Sequence, residues 1–360
     1  MRWQYKQRRI EVNIVVKVVN LDQIKSILPK LDLIKEIEAG FVAYSEGRVV
    51  VPPVGELSFE SPPGDVHIKY GYIKNDDIYV IKIASGFYAN KDIDLPTGNG
   101  MMLVFKQSTG QPIAILYDEC YLTDIRTAVA GAVTAKYLSP RNVKNIGIVG
   151  TGVQARLQLR YLKDIIDCHN VVVWGRSQQA LLSYKEEMVV HGYQITTTMN
   201  MNDVIDRCQL IVTCTPSESS LINAVRPGTH ITAIGSDTVN KRELSSDVML
   251  QADLIVADSK AQSQMRGEIY QALKDGNSLD NITELGQIIS GKDKGKTGEI
   301  LEINRSENRL KVKTINMIKK HLKPTKENKG GIISKENFIH VSNVKNIDKK
   351  TDKPKKEGKK

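Results

Sequence analysis

The 360-residue sequence is poor in cysteine. Its four cysteines, Cys120, Cys168, Cys208 and Cys214, form no C-x-x-C pair and no cluster with histidine at the spacing of metal ligands. This scarcity excludes a disulfide-stapled secreted scaffold and gives no sign of a metal site. We expect the thiols to be reduced and mostly buried.

Long apolar runs are also missing. No run approaches the length that a membrane-spanning helix needs. The basic start, Met1 to Arg9, is followed by the polar residues Glu11 and Asn13 rather than by the apolar core of a signal peptide. We therefore expect a soluble, cytoplasmic protein with no membrane partner.

Positive charge is concentrated at one end of the chain. Residues 291–360 contain 21 Lys and Arg against 9 Asp and Glu, a net charge of +12. Because the whole chain has 51 against 41, residues 1–290 have 30 against 32 and a net charge of −2. A mildly acidic body with a basic end predicts two different kinds of partner.

The most informative stretch runs from Asn145 to Arg176. An apolar run (146–149) leads into a glycine turn (150–155), a helical pattern follows, and a second apolar run (171–174) ends the stretch. This order of strand, glycine turn, helix and strand is typical of a dinucleotide-binding βαβ unit.

The glycine turn provides the candidate cofactor contacts. Gly150 permits the tight turn, Gly152 lets the backbone approach a pyrophosphate, and Ala155 allows close packing of helix on strand. The phosphates then bind the N–H groups at the helix N-terminus. A purely structural turn is the alternative. The candidate cofactor-binding residues here are Gly150, Thr151, Gly152, Val153, Gln154 and Ala155.

The residues after the second strand bear on the choice of cofactor. A site for NAD(H) usually has Asp or Glu there, which binds the ribose 2′-hydroxyl. This chain has Gly175-Arg176-Ser177, and a guanidinium and a hydroxyl suit a 2′-phosphate. We therefore favour NADP(H), with NAD(H) possible if Arg176 is simply a solvated side chain.

From Val143 to about Asp258, strand patterns alternate with helix patterns. Such alternation predicts an α/β, Rossmann-type doubly wound parallel sheet, whose ligands bind at the carboxyl ends of the strands. Thr215 and Pro216 follow one strand and are candidate cofactor contacts. Asp237 follows another and is placed to face a nicotinamide; on pattern alone it serves equally well as a cap of the next segment.

Residues 1–130 predict a domain of a different class. Strand patterns at 66–71, 79–84, 100–106 and 112–117 have no helices between them, so we expect an α+β domain with an antiparallel or mixed sheet.

A helix is predicted over residues 123–138, with Thr123 and Asp124 as caps. Arg126 in its first turn is unfavourable beside the positive helix end. Its presence therefore indicates a function, the binding of a carboxylate or a phosphate.

Residues 1 to about 290 resemble the ornithine cyclodeaminase/mu-crystallin family. The matching strings are residues 80–86, 123–128, 150–155, 233–237 and 266–269 leading into 284–286. The resemblance implies an NAD(P)-dependent oxidoreductase or cyclodeaminase acting on an amino acid or a cyclic ketimine, of the ornithine cyclodeaminase or pyrroline-2-carboxylate reductase type. It also implies a homodimer built through the N-terminal domain.

The same resemblance implies roles for individual residues. Arg126, assisted by Arg48, contacts the substrate carboxylate. Lys82 lies beside the reacting carbon, where its ammonium orients the substrate and polarises the imine or amine. Asp237 is the acid/base that moves a proton during hydride transfer, and Thr127 contacts the cofactor.

Residues from about 289 onward are similar to the KOW-type bacterial large-subunit ribosomal protein twenty-four. The similarity covers residues 289–296, 316–321, 330–333 and 339–344. It implies binding of ribosomal RNA by a small SH3-like β-barrel, with basic side chains acting mainly on phosphates. The matching basic positions are Lys292, Lys294, Lys296, Lys319, Lys320, His321 and Lys323.

Both resemblances are incomplete where they meet. The first family continues into a strand and a long terminal helix, which are absent here, and the two families share a string like Ile-Ile-Ser-Gly-Lys. Such a crossover arises by recombination or by mis-assembly of two sequences, and the apolar surface left uncovered favours mis-assembly. The alternative function is a structural constituent of the large ribosomal subunit with an accidental or inactive N-terminal fusion.

The predicted domains follow from these patterns. Residues 1–130 form a substrate-binding and dimerisation domain, residues 131–288 a nucleotide-binding domain, and residues 289–345 an RNA-binding domain. Residues 346–360 are predicted to be a disordered basic tail, because they are too polar to fold alone.

Overall fold

The computed structural model describes residues 15–279, 282–291, 296–305, 309–322, 331–340 and 344. The chain divides into two compact units, Met1–Ile289 and Ser290–Lys360. Within the described residues, none of the helices is long and apolar enough to span a membrane.

The first sheet of unit 1 is mixed, as predicted. Its seven strands are β1 (Lys17–Val19), β2 (Val49–Val50), β3 (Gly55–Glu60), β4 (Pro63–Ile73), β5 (Ile78–Gly86), β6 (Gly98–Lys106) and β7 (Pro112–Leu116). Their order is β1-β7-β6-β5-β4-β2, with β3 also paired to β4. Only β1 and β7 run parallel; the other pairs in this sheet are antiparallel.

Two helices, α1 (Leu21–Ile27) and α2 (Leu33–Ser45), precede most of this sheet. Asn20 begins α1 with a capping box, and Asp32 caps α2. The single 3₁₀ turn between them contains Pro29, which has no N–H for helix continuation.

The next helix, α3 (Tyr121–Leu138), begins two residues earlier than predicted. Thr123 and Asp124 therefore lie inside its first turn, and the prediction that they cap it is wrong. The cap comes instead from the buried Asp118, whose Oδ2 accepts a hydrogen bond from the N–H of Leu122 at 2.9 Å. A carboxylate ahead of the helix satisfies a backbone donor that the first turn leaves unpaired.

The second sheet is parallel and doubly wound, which confirms the α/β prediction. Its order, β10-β9-β8-β11-β12, places β8 at the centre. Every residue of β8 and β11 is buried, so helices cover both faces. The elements are β8 (Ile146–Val149), α4 (Val153–Leu162), β9 (Asn170–Trp174), α5 (Gln178–Val189), β10 (Gln194–Thr198), α6 (Met201–Arg207), β11 (Leu210–Thr213) and β12 (His230–Ala233).

The last predicted strand of this region does not join that sheet. Strand β13 (Ile255–Ala257) pairs in parallel with β14 (Ile282–Glu284). Alternation along the sequence indicates a strand but not the strand with which it pairs. The prediction that the parallel sheet continues to about Asp258 is therefore wrong for its last strand. The helices around this pair are α7 (Ser246–Gln251), α8 (Lys260–Ser263), α9 (Gly267–Lys274) and α10 (Leu285–Ser290).

Unit 2 is a small antiparallel β domain, as expected for its sequence. Its strands are β15 (Ile300–Asn304), β16 (Arg309–Val312), β17 (Met317–Leu322), β18 (Gly331–Glu336) and β19 (Ile339–His340). Strand β16 lies between β15 and β19, and β17 pairs with β18. Leu310, Val312 and Ile315 form its small core.

Close packing near the end of unit 1 depends on Gly286 in α10. A Cβ on this residue would lie 2.0 Å from the carbonyl oxygen of Phe41 in α2, an atom that belongs to a helix backbone. Ser45 of α2 also donates a hydrogen bond to Glu284 at 2.8 Å. The glycine therefore lets the C-terminal helix of unit 1 reach its N-terminal helices.

Gly286→Ala should lower the free energy of unfolding of unit 1 by about 1–3 kcal/mol, because the new methyl group displaces helix backbone. Chemical denaturation followed by circular dichroism measures the change. Gly40→Ala in α2 is the matched control, since a Cβ there meets open space. It should stabilise by about 0.5–1 kcal/mol. Equal effects of the two substitutions would contradict the packing argument.

Candidate active site

Two lysines of the first sheet face each other across a strand pair. Lys69 on β4 lies directly opposite Lys82 on β5, and Met102 on β6 lies opposite Lys82 on its other side. Directly paired residues of neighbouring strands share one face of a sheet. Both lysines are half-buried, so the two ammonium groups lie in the same cleft.

Arg126 of α3 adds a third positive charge to this cleft. Burial, followed by the nearby Arg126, lowers the pKa of both lysines, that of Lys82 to about 8. Arg126 is exposed, although nearby protein atoms desolvate its guanidinium enough to lower its pKa. The guanidinium thus lines an open cleft.

These three cations have no direct partner among the residues that the structure describes. Within the described part of the chain, neither lysine nor Arg126 forms a salt bridge or a side-chain hydrogen bond. Carboxylates lie farther off: Asp237 and Asp258 raise the pKa of Lys69 by their fields. Converging cations without partners are suited to an anionic ligand.

Asp237 follows β12, at the carboxyl edge of the parallel sheet. Its carboxylate accepts a hydrogen bond from Lys241 Nζ at 2.7 Å, and the side chain is 63% exposed. No backbone N–H among the described residues donates to it, so the alternative role of a cap is not realised. The negative charge of Asp237 acts to raise the pKa of both Lys69 and Arg126, so Asp237 lies beside the cleft.

Arg48, the other predicted substrate contact, is engaged nearby. Its guanidinium donates to Glu46 at 2.8 Å, and half of the side chain is exposed. The role of Arg48 toward a substrate stays a prediction.

The glycine turn has the geometry of a phosphate site. Gly150 has a φ of 122°, and its N–H donates to the carbonyl of Trp174 at 2.9 Å. Gly152 is the N-cap of α4 and has no side-chain capping bond, and a Cβ there would meet no protein atom within 4 Å. That open space at the positive helix end fits a pyrophosphate.

The neighbouring side chains hold α4 against α3. Gln154 Nε2 donates to the carboxylate of Asp124 at 3.1 Å, and Gln158 Nε2 donates to the carbonyl of Thr127 at 3.1 Å. The hydroxyl of Thr127 donates to the carbonyl of Thr123. The side chains of Gln154 and Gln158 therefore join the two helices, leaving backbone groups for a cofactor.

The end of β9 lies beside the glycine turn. A Cβ on Gly175 would lie 2.9 Å from the Thr151 methyl group, which shows how closely the two loops approach. Arg176 is exposed and has no salt bridge among the described residues. Ser177 is the N-cap of α5, and its hydroxyl accepts from Ala180 N at 3.4 Å.

A buried carboxylate, not predicted from the sequence, links the other two loops of this edge. Glu243 is fully buried and accepts hydrogen bonds from Thr215 N at 2.6 Å and Gly235 N at 2.9 Å. The hydroxyls of Thr213 and Thr215 donate to it as well. Glu243 thus joins the loop after β11, where Pro216 is exposed, to the loop that carries Asp237.

A second carboxylate supports the first. Glu268 accepts hydrogen bonds from the backbone N–H groups of Glu243 at 2.7 Å and Leu244 at 3.2 Å. Burial raises the pKa of Glu268 to about 7. Both glutamates stand in turns or at a helix start, and no periodicity marks them as buried.

Arg266, also missed as a contact, joins the first sheet to this side of the site. Its guanidinium forms a salt bridge with Glu56 of β3 at 2.6 Å. Its charge also lowers the pKa of Lys69.

Of the predicted RNA-binding residues, Lys292, Lys294 and Lys323 lie outside the described residues. Lys319, Lys320 and His321 lie on β17, with side chains outside the described part, and Lys296 is exposed ahead of β15. The described residues contain no group of three or more His, Cys, Asp or Glu able to hold a metal.

Comparison with known proteins matches two different families along the chain. Residues 12–301 match the model of the ornithine cyclodeaminase/mu-crystallin family. Residues 315–360 match the C-terminal domain of the large ribosomal subunit protein uL24.

Several relatives cover most of unit 1. The uncharacterized cyclodeaminase y4tK of Sinorhizobium fredii is 35% identical over 79% of this chain and 88% of its own length. A Delta(1)-pyrroline-2-carboxylate reductase of Bacillus thuringiensis is 26% identical over 78% and 88%. An archaeal alanine dehydrogenase, solved as a dimer with bound NAD, superposes with a TM-score of 0.70 at 27% identity, covering 78% of this chain and 87% of its own.

The matched region contains the glycine turn, the paired lysines, Arg126 and Asp237. The family model spans most of the chain, and a relative is 35% identical to it over 291 residues. The chain belongs to the ornithine cyclodeaminase/mu-crystallin family.

Proposed function

We propose that unit 1 is an NADP(H)-dependent oxidoreductase or cyclodeaminase that acts on an amino acid or a cyclic ketimine. The observation that carries the proposal is the group of unpaired cations, Lys82 and Arg126, beside Asp237 at the carboxyl edge of a parallel sheet. Relatives with pyrroline-2-carboxylate reductase and alanine dehydrogenase activity support this class of reaction.

Substrate binding would depend on the two cations. The guanidinium of Arg126 can bind a carboxylate with two parallel hydrogen bonds, and Arg48 would assist it. The ammonium of Lys82 then lies beside the reacting carbon, where it orients the substrate. Both charges are partly removed from water, which strengthens their attraction for an anion.

Asp237 would act as the acid or base toward the substrate nitrogen. Hydride transfer at a carbon that bears nitrogen creates or consumes an iminium charge, which a carboxylate stabilises. Asp237 can deliver a proton to that nitrogen or take one from it, and Lys241 holds its carboxylate in place. A bound nicotinamide supplies or accepts the hydride.

The cofactor would lie along the edge formed by the glycine turn and the loops after β9, β11 and β12. Gly152 and the first N–H groups of α4 would hold the pyrophosphate. Arg176 would bind the 2′-phosphate, because no acidic residue occupies the position that selects the ribose hydroxyl. Thr127, Thr215 and Pro216 would complete the cofactor contacts.

Arg176→Ala should raise the Kd for NADPH by about 10- to 100-fold, the range for a lost charge-assisted hydrogen bond. The Kd for NADH should change little. Quenching of protein fluorescence by each nucleotide measures both constants.

Arg141→Ala is the control for this experiment, since Arg141 is exposed and precedes the amino end of β8. An equal loss of NADH and NADPH affinity in the Arg176 variant would contradict a role in 2′-phosphate binding. If the parent protein binds neither NADH nor NADPH, the proposal that it is an enzyme of this class is wrong.

Asp237→Asn should lower kcat for reduction of pyrroline-2-carboxylate by about 10²- to 10⁴-fold, because general acid–base catalysis contributes that much. The Kd for NADPH should stay unchanged. Asp253→Asn, an exposed site ahead of β13, serves as the control.

The same assay has a pH signature. The pKa of Lys82 is lowered to about 8, so its ammonium is present below that pH and lost above it. The kcat/KM for the anionic substrate should fall above pH about 8. Lys82→Arg should move this decline to higher pH, and an unmoved decline would assign it to another group.

We also propose that unit 1 forms a homodimer through the face of the first sheet opposite Lys69 and Lys82. That face exposes apolar side chains on β3 and β4: Leu57, Phe59, Tyr70 and Tyr72. A contiguous apolar surface of this kind usually marks an interface. The relative solved as a dimer supports a dimeric state.

The second candidate function belongs to unit 2. Its match to a ribosomal-protein domain and its net charge of +12 over residues 291–360 favour binding of ribosomal RNA. Under this alternative, unit 1 is an accidental or inactive fusion partner. A continuous DNA read across the codons for residues 283–299 tests whether the two units share one gene.

Replacing Lys319 and Lys320 by Glu should weaken binding of the full chain to a large-subunit ribosomal RNA fragment. The slope of log affinity against log salt should fall by about 1 per lost phosphate contact. Filter binding at several salt concentrations measures both effects. The control is Lys30→Glu with Lys35→Glu, two exposed lysines of unit 1, and an equal loss there would mean non-specific charge binding.

A further inference from the structure

One charged side chain of the cleft has no part in the function proposed above. Lys69 lies opposite Lys82 on the same face of the sheet and makes no salt bridge or side-chain hydrogen bond among the described residues. In that function the single substrate carboxylate binds Arg126, with Arg48 assisting, and Lys82 lies beside the reacting carbon. Lys69 is therefore a third cation of the cleft, and a monocarboxylic substrate offers it no negative partner.

The position of Lys69 within the cleft can be read from its neighbours. Strand β4 lies one strand beyond β5 in the sheet order, away from β6. The charged groups that act on Lys69 after Arg126 are Arg266, Asp237 and Asp258, whereas Lys82 responds to Cys120 and Asp118. Lys69 therefore lies toward the Asp237 side, and Lys82 toward the start of α3.

The acidic groups near Lys69 are engaged elsewhere. Asp237 is paired with Lys241 at 2.7 Å. Asp258 accepts from Ser259 N at 2.7 Å and from the Ser263 hydroxyl at 3.5 Å. They moderate the charge of the cleft without neutralising the Lys69 ammonium directly, so an incoming anion can still do so.

We propose that Lys69 binds a second carboxylate of the substrate, so that this site selects dicarboxylic amino acids or their imines. The inference rests on the proposed function, because that function assigns the first carboxylate to Arg126, with Arg48 assisting, and places Lys82 beside the reacting carbon. The reacting carbon then lies between two anion-binding ends of one cleft.

The charge pattern also disfavours the other substrate classes. A diamino acid would bring a second ammonium toward Lys69, and like charges in a partly desolvated cleft repel. A small monocarboxylic amino acid would leave Lys69 without a partner. Only a second negative group satisfies all three cations.

The test compares L-aspartate and L-glutamate with L-alanine and L-ornithine as substrates of the full-length protein with NADP⁺. The kcat/KM for a dicarboxylic substrate should exceed that of the others by tenfold or more. Lys69→Met should remove this preference, mainly by raising KM, while leaving turnover of L-alanine unchanged within about twofold. These expectations follow from the loss of one charge-assisted contact.

Two further variants make the result specific. Lys69→Arg should keep the preference, because it keeps the charge. Lys106→Met, at an exposed position of β6, should change nothing and controls for loss of a lysine. Lys69→Gln replaces the Met variant if that protein fails to fold.

A binding measurement separates failure of this inference from failure of the proposed function. With NADPH bound, succinate should alter its fluorescence at lower concentration than acetate, and Lys69→Met should abolish the difference. A difference without turnover of any substrate would support the anion subsite while refuting the enzyme. Equal responses to succinate and acetate, or a preference unaffected by Lys69→Met, would overturn the inference.

Discussion

The site of unit 1 depends on positive charges that the fold brings together and does not neutralise. Lys69 and Lys82 face each other on paired strands, and Arg126 reaches them from a helix. Three unpaired cations in a partly desolvated cleft raise the free energy of the folded protein. A ligand carboxylate relieves this repulsion. Binding of an anion therefore releases more free energy in this cleft than it would in a cleft whose cations were already neutralised.

Buried carboxylates determine where the rest of the site lies. Glu243 accepts hydrogen bonds from the loops after β11 and β12, and Glu268 holds the backbone of Glu243 in turn. Because hydrogen bonds to a buried carboxylate cost much to leave unmade, these loops have little freedom to separate. The loop that carries Asp237 is thereby held at the carboxyl edge of the parallel sheet.

Contacts between the two sheets of unit 1 complete the arrangement. Gln154 of α4 binds Asp124 of α3, and Arg266 forms a salt bridge with Glu56 of β3. The helix that carries Arg126 is thus bonded to the helix that begins at the glycine turn. Unit 2 has its own small core around Leu310 and Val312, and its charge is of the opposite sign to that of residues 1–290.

The sequence by itself determined the local elements, because their causes are local. The glycine turn at 150–155, the break at Pro29 and the alternating apolar runs are readable in order along the chain, and so are Arg126 and Lys82 through family resemblance. Helix starts were less certain, because Asp118 caps α3 from outside the predicted segment.

Tertiary structure alone decided which residues share a site. The register of β4 with β5 put Lys69 opposite Lys82, and a shift by one residue would have turned Lys69 to the other face of the sheet. Burial of Glu243 likewise depends on loops that are far apart in sequence and meet only when parallel strands end at one edge. Periodicity reports the conformation of a segment, whereas pairing and burial depend on distant segments, and for that reason these residues could not be read from the sequence.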